Sequence, residues 1–113
     1  MIDGGDPERH EELKSFFCWY VVLQQRNQDR EIIEDNQIRI PDKNQTITEA
    51  KDALRRISTG KSKYRNADIR AEVWEVRNAD TEEQEIRTVW EAHKNNIEGH
   101  DINGEWTPEG TVY

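Results

Sequence analysis

The chain is poor in reactive side chains and has no long apolar run: one cysteine, three histidines, and a longest apolar stretch, "FFCWYVVL", of eight residues. A single cysteine, Cys18, closes no internal disulfide, and its place inside that stretch marks it as a packed side chain rather than a reactive thiol. Eight apolar residues are well short of a bilayer span. They also follow an acidic segment rather than a basic one, which argues against a secretory signal. The expectation is a cytoplasmic protein, in the host cytosol if the chain is viral. The glycosylation pattern Asn44-Gln45-Thr46 then has no consequence.

Recognisable reaction centres are missing as well. Gly60-Lys61-Ser62 resembles the end of a phosphate-binding loop, but Arg55 stands where that loop needs its first glycine. The residues before it have a helical period, whereas a phosphate loop follows a strand. No serine lies in a nucleophile elbow, and Cys18 has no electropositive neighbour in sequence. His93, Glu98, His100 and Asp101 are spaced without the short, regular interval of a zinc site. The reading is therefore no catalytic residues, no metal and no cofactor.

What is present is charge. The net charge is −8, spread unevenly: residues 1–50 sum to −5, residues 51–77 to +4 and residues 78–113 to −7. Carboxylates cluster at Asp29, Glu31, Glu34 and Asp35, and again at Asp80, Glu82, Glu83 and Glu85. Such a surface repels nucleic acid and anionic membrane and attracts basic protein. Arg55, Arg56, Lys61, Lys63 and Arg65 form the one basic stretch. Four tryptophans argue against disorder.

The element order follows from periodicity. Asp6 and Pro7 open a short helix running to about Lys14. "SFFCWYVVLQQ" is apolar on both parities and reads as a strand buried on both faces. "EIIEDNQIRIPD" is a second strand, broken near Asp35-Asn36, with Ile32, Ile38 and Ile40 on one parity. Thr46 and Glu49 fit a capping box, and Ile47, Ala50, Ala53, Leu54 and Ile57 form one helical face ending at Gly60. "ADIRAEVWEVR" and "EIRTVWEAHK" are two similar strands joined at Asp80-Thr81 as a hairpin, with a change of phase near Trp74 that signals a bulge. After Lys94 the period is lost.

The predicted fold is therefore α+β, a single small domain of order ββαββ with one helix on a mainly antiparallel sheet. A β-grasp-like arrangement with the first strand in the centre fits that pattern. The domain spans residues 1–95, and residues 96–113 form an acidic tail that either covers its own sheet or docks on another chain. The functional expectation is a non-enzymatic protein-binding factor, an inhibitor or immunity-type protein of the kind encoded by phages and mobile elements. Its acidic clusters, with Trp74, Trp90, Trp106 and Tyr113, would occupy a basic surface of a target. One alternative is a self-assembling subunit, for instance of a virion, joined as a homo-oligomer through its acidic tail and basic 51–77 segment. A second is a nucleic-acid-binding module using the basic loop.

Overall fold

The computed structural model describes residues 17–26, 29–59 and 63–108. The expected first helix, Gly60, Lys61 and Tyr113 lie outside the described residues. Five strands, β1 (Phe17–Arg26), β2 (Asp29–Ile40), β3 (Ile69–Arg77), β4 (Glu85–His93) and β5 (Asn96–Asp101), accompany one helix, α1 (Lys43–Ser58). They form one sheet in the order β2-β1-β3-β4-β5, antiparallel at every junction. This is the α+β layout that the residue pattern predicts, except that β3, not β1, stands in the centre.

β1 has neighbours on both edges and buries both faces, which is why its apolar residues do not alternate. Cys18, Tyr20 and Val22 meet Ala50, Ala53, Leu54 and Ile57 of α1 in the main core. Phe17 belongs to a second cluster on the opposite face with Val76, Ala79 and Ile86, flanked by Trp19 and Trp74. Phe17 stacks on Trp19 at 5.5 Å, and Trp19 leans on Trp74 at 6.0 Å.

The apolar face of α1 is the predicted one, but its start is not. The N-cap is Asp42, whose carboxylate accepts from the backbone N–H groups of Asn44 and Gln45 at 2.9 and 3.3 Å. Thr46 lies one turn inside the helix, buried, with its hydroxyl donating to the Asp42 carbonyl at 2.8 Å. An aspartate directly after Pro41 caps one turn earlier than the Thr46/Glu49 pair, so the helix gains that turn. At the far end the Thr59 hydroxyl donates to the Arg55 carbonyl at 2.7 Å. Because residues 43–58 are helical, no strand leads into Gly60, and the phosphate-loop resemblance has no structural context.

The β3–β4 hairpin forms as expected, and its bulge decides where two tryptophans point. Val73 pairs with Trp90 and Trp74 pairs with Thr88, which leaves Val89 as an extra residue on β4. Val89 and Trp90 therefore both face the helix-side core, while Trp74 faces the other cluster.

The chain beyond residue 95 continues the sheet. β5 pairs with β4, placing His100 opposite Glu91 and Asp101 opposite Trp90. Residues 102–107 then follow β4 as a strap: Ile102 N–H donates to Val89 O at 2.9 Å, Gly104 N–H to Thr88 O at 3.1 Å, and Ile86 and Thr107 exchange two bonds. Two glycines permit this approach. Gly99 has φ +65°, and a Cβ there would lie 2.5 Å from Glu91 O; a Cβ on Gly104 would lie 2.7 Å from Thr88 O. The described part of the expected tail is thus integral to the sheet, and the ββαββ order gains a sixth element.

Candidate protein-binding edge

β2 and β5 are the two strands with a single neighbour; β5 is six residues long and turns at Gly99 with φ +65°, so β2, with twelve residues, is the longer open edge. Its outward character is written in its composition: only Ile40 of its twelve residues is buried. Ile32 and Ile38, 45% and 63% exposed, are the large apolar side chains left in water among the described residues, and both lie on β2. The shared parity expected for Ile32, Ile38 and Ile40 is lost, because the first of two register shifts with β1 is by a single residue. One extra residue, Ile33, enters between the pairs Leu23↔Ile32 and Val22↔Glu34, and the ladder slips again between Asn36 and Ile40. At the second slip the Asn36 side chain accepts from Ile38 N–H at 2.8 Å, and Gln37 donates to Asp35 at 3.1 Å.

The acidic residues separate into paired and unpaired groups. Arg56 donates twice to Glu34, at 2.7 and 2.9 Å, and the Tyr20 hydroxyl donates to it at 3.0 Å. Burial pushes the Tyr20 hydroxyl up from its usual range; a hydrogen bond with Asn36 opposes the shift, and the Glu34 hydrogen bond and charge add to it. The Glu34 hydrogen bond and charge likewise raise Arg56. Asp80 pairs with Arg39 at 2.6 Å and Glu85 with Arg77 at 2.6 Å. Glu31, Asp35, Glu82 and Glu83 meet no cation among the described residues.

These groups do not converge. Asp29 pairs with Arg26 at one end of β1, whereas Arg39 reaches Asp80 beside Phe17 at the other. Eight steps along β1 separate the partners of Asp29 and Ile40, about 26 Å at the rise of a strand. The β2 cluster and the hairpin-turn cluster are therefore two small acidic areas rather than one row.

The other sequence-derived candidates resolve individually. Trp90 is 3% exposed and belongs to the core, so it offers no contact surface. Trp74 is half-buried, its indole N–H donating to Glu72 at 2.9 Å. The guanidinium groups of Arg77 and Arg87 both lie over the Trp106 ring, 4.2 and 4.6 Å from its centroid. The described members of the basic stretch are dispersed: Arg55 pairs with Asp52, Arg56 with Glu34, Lys63 rests over Tyr64 at 5.0 Å, and among these described residues Arg65 alone is exposed with no side-chain partner.

Sequence reasoning missed Glu72, a fully buried carboxylate on the face opposite α1. It forms an ion pair with Arg30 across β1 and accepts from Trp74 and from the Thr88 hydroxyl at 3.4 Å. An acidic residue between Ala71 and Val73 was the available signal.

Two potential chemical groups are quiet. Asn95 N–H donates to His93 Nδ1 at 3.1 Å, which puts the proton on Nε2, facing Asp68. Neither nitrogen is then open as a base. Burial, with a smaller contribution from Glu75, pushes the Cys18 thiol up from 9.0 to about 11. His100 meets Glu91 at 3.2 Å beside a cavity of about 110 Å³, and Lys43 pairs with Asp101 at 3.0 Å. Among the described residues no three His, Cys, Asp or Glu side chains gather as a metal site, and no helix is long and apolar enough to cross a membrane. No family model, curated protein or solved structure matches the chain.

Proposed function

We propose that this protein works by binding another protein through the β2 edge and performs no catalysis of its own. The observation that carries this reading is the coincidence, on the long edge strand, of both water-exposed isoleucines with two carboxylates, Glu31 and Asp35, that meet no cation among the described residues. An apolar contact ringed by unpaired charge of one sign suits a target with a basic surface: the charge steers the encounter, and burial of Ile32 and Ile38 slows release. In its most specific form the protein is an inhibitor or immunity-type factor of the kind phages and mobile elements encode, occupying a cationic surface of its target.

The alternatives have less support. Assembly through the acidic tail requires a free tail, and residues 96–107 are taken up by β4. Nucleic-acid binding requires a continuous cationic face, and Arg55 and Arg56 are already paired.

The test compares the immobilised protein with a triple variant, Asp29→Lys, Glu31→Lys and Asp35→Lys, in host lysate. Basic proteins retained at low salt by the parent, released at high salt and absent from the variant are expected. Identical retention by both forms, or none by either, would overturn the reading.

A further inference from the structure

Resting on that reading of β2, we propose how the partner is held: an extended cationic segment adds as a sixth strand along β2 between Asp29 and Asp35, with a basic side chain seated beside Glu31. Strand addition needs a run of outward N–H and C=O groups not already used. Past Asn36 that run is spoiled, because Asn36 takes the Ile38 N–H and the register slips. Between Asp29 and Asp35 the ladder to β1 is kept apart from the single extra residue at Ile33. The usable edge is the N-terminal half of the strand, and the unpaired β2 carboxylates lie within it.

Side-chain alternation then specifies the partner. Glu31 pairs with Gln24 and Asp29 with Arg26, so both point to the α1 side. Ile32 and Asp35, paired with Leu23 and Val21, point to the other face. Beside Glu31, on the α1 side, is a cleft of about 350 Å³ lined by Gln24, Lys63, Tyr64 and Ala67. Lys63 lies over the Tyr64 ring rather than on Glu31, which leaves that carboxylate to an incoming cation. An antiparallel strand matching these positions reads apolar, basic, any, basic: its apolar residue opposes Ile32 and its basic residues oppose Glu31 and Asp29.

A second copy of the chain fits less well. Antiparallel self-pairing centred on Ile32 brings two copies each of Asp29, Glu31 and Asp35 to one seam, while Arg30 and Glu34 are already engaged with Glu72 and Arg56. Crowding like charges along a seam is destabilising, so the edge favours a basic strand over itself.

The probe is a six-residue peptide, threonine-valine-lysine-threonine-lysine-threonine, labelled for anisotropy, with a control in which both lysines are glutamate. The lysine peptide should bind the full chain, and binding should weaken with salt. Glu31→Lys should reduce affinity about tenfold by turning one attraction into repulsion, and should gain affinity for the glutamate peptide. Bound peptide should slow hydrogen exchange at outward amides of residues 29–35 by at least about tenfold. Circular dichroism checks that the exposed variant is folded.

Binding without slowed β2 amides would overturn strand addition and leave the protein-binding reading standing. The same holds if the peptide fails to bind while the lysate test above succeeds. A dimer in sedimentation that Ile32→Asp dissolves would replace the cationic strand with a second copy.

Discussion

Removing the cation from a buried pair should cost more than removing any surface charge of this protein. Glu72 is fully buried, and its ion-pair partner Arg30 crosses β1 to reach it with 30% of its side chain exposed. Breaking a buried pair from one side typically costs about 3–5 kcal/mol, because the remaining charge loses its compensation. Two features reduce that here. Water reaches Arg30, and the carboxylate keeps the Trp74 indole and the Thr88 hydroxyl as donors. Arg30→Met, which keeps the apolar stem, should therefore destabilise by about 2–3 kcal/mol. Glu72→Gln keeps an acceptor for Trp74 and lets Arg30 turn to solvent, so about 1 kcal/mol is expected. The double variant should lose less than the sum of the two, with a coupling of about 2 kcal/mol. Urea unfolding monitored by circular dichroism gives all four values, and an unchanged m-value shows that the native and unfolded ensembles are comparable. Arg55→Ala serves as the surface reference: its pair with Asp52 is 57% and 70% exposed, and no measurable loss is expected. An Arg30→Met effect no larger than that of Arg55→Ala, or strict additivity in the cycle, would refute the reasoning.

Three further outcomes are expected. Trp106→Ala removes two cation–π contacts and should loosen the strap, costing roughly 2 kcal/mol and speeding exchange at the Ile102, Gly104 and Ile86 amides; unchanged exchange there would show that backbone pairing alone holds residues 102–107. Gly104→Ala forces Thr88 to shift and should destabilise by about 2 kcal/mol, measured as a lowered melting temperature. Cys18 keeps its proton in the fold up to about pH 11 but loses it near 9 when unfolded. The folded state then binds more protons in that window, and stability should fall by about 2–3 kcal/mol as pH rises from 9 to 11. Cys18→Ala should lessen the fall, leaving the part due to Tyr20, whose hydroxyl shifts in the same direction; an identical pH profile would remove Cys18 as a cause.

Local rules made most of the elements legible and concealed most of the site. The face of α1 was readable because Ala50, Ala53, Leu54 and Ile57 repeat at helical spacing and little else competes for that face. β1 was readable because a strand paired on both edges and covered on both sides needs apolar residues on both parities. β5 escaped notice because only Ile97 and Gly99 of its six residues turn inward, and a glycine carries no hydropathy signal. The glycines that gave the tail its irregular look are what let it lie against β4. Val73-Trp74-Glu75 and Val89-Trp90-Glu91 are identical triplets, yet one extra residue sends their tryptophans to opposite faces. No window of sequence contains that information, since it depends on how two strands register. The same holds for the edge: which carboxylates find an arginine was fixed by strand order, which set Glu34 beside Arg56 and left Glu31 alone.

The short β5 edge has a consequence for assembly. A sheet with two bare sides can stack laterally without end, each molecule adding to the last. Here the β5 edge is six residues long and turns at Gly99 with φ +65°, so β2, twelve residues long, is the main valence for sheet extension. A partner on β2 that brings no long open strand of its own leaves only the short β5 edge, and a discrete complex rather than a fibre is the natural end point.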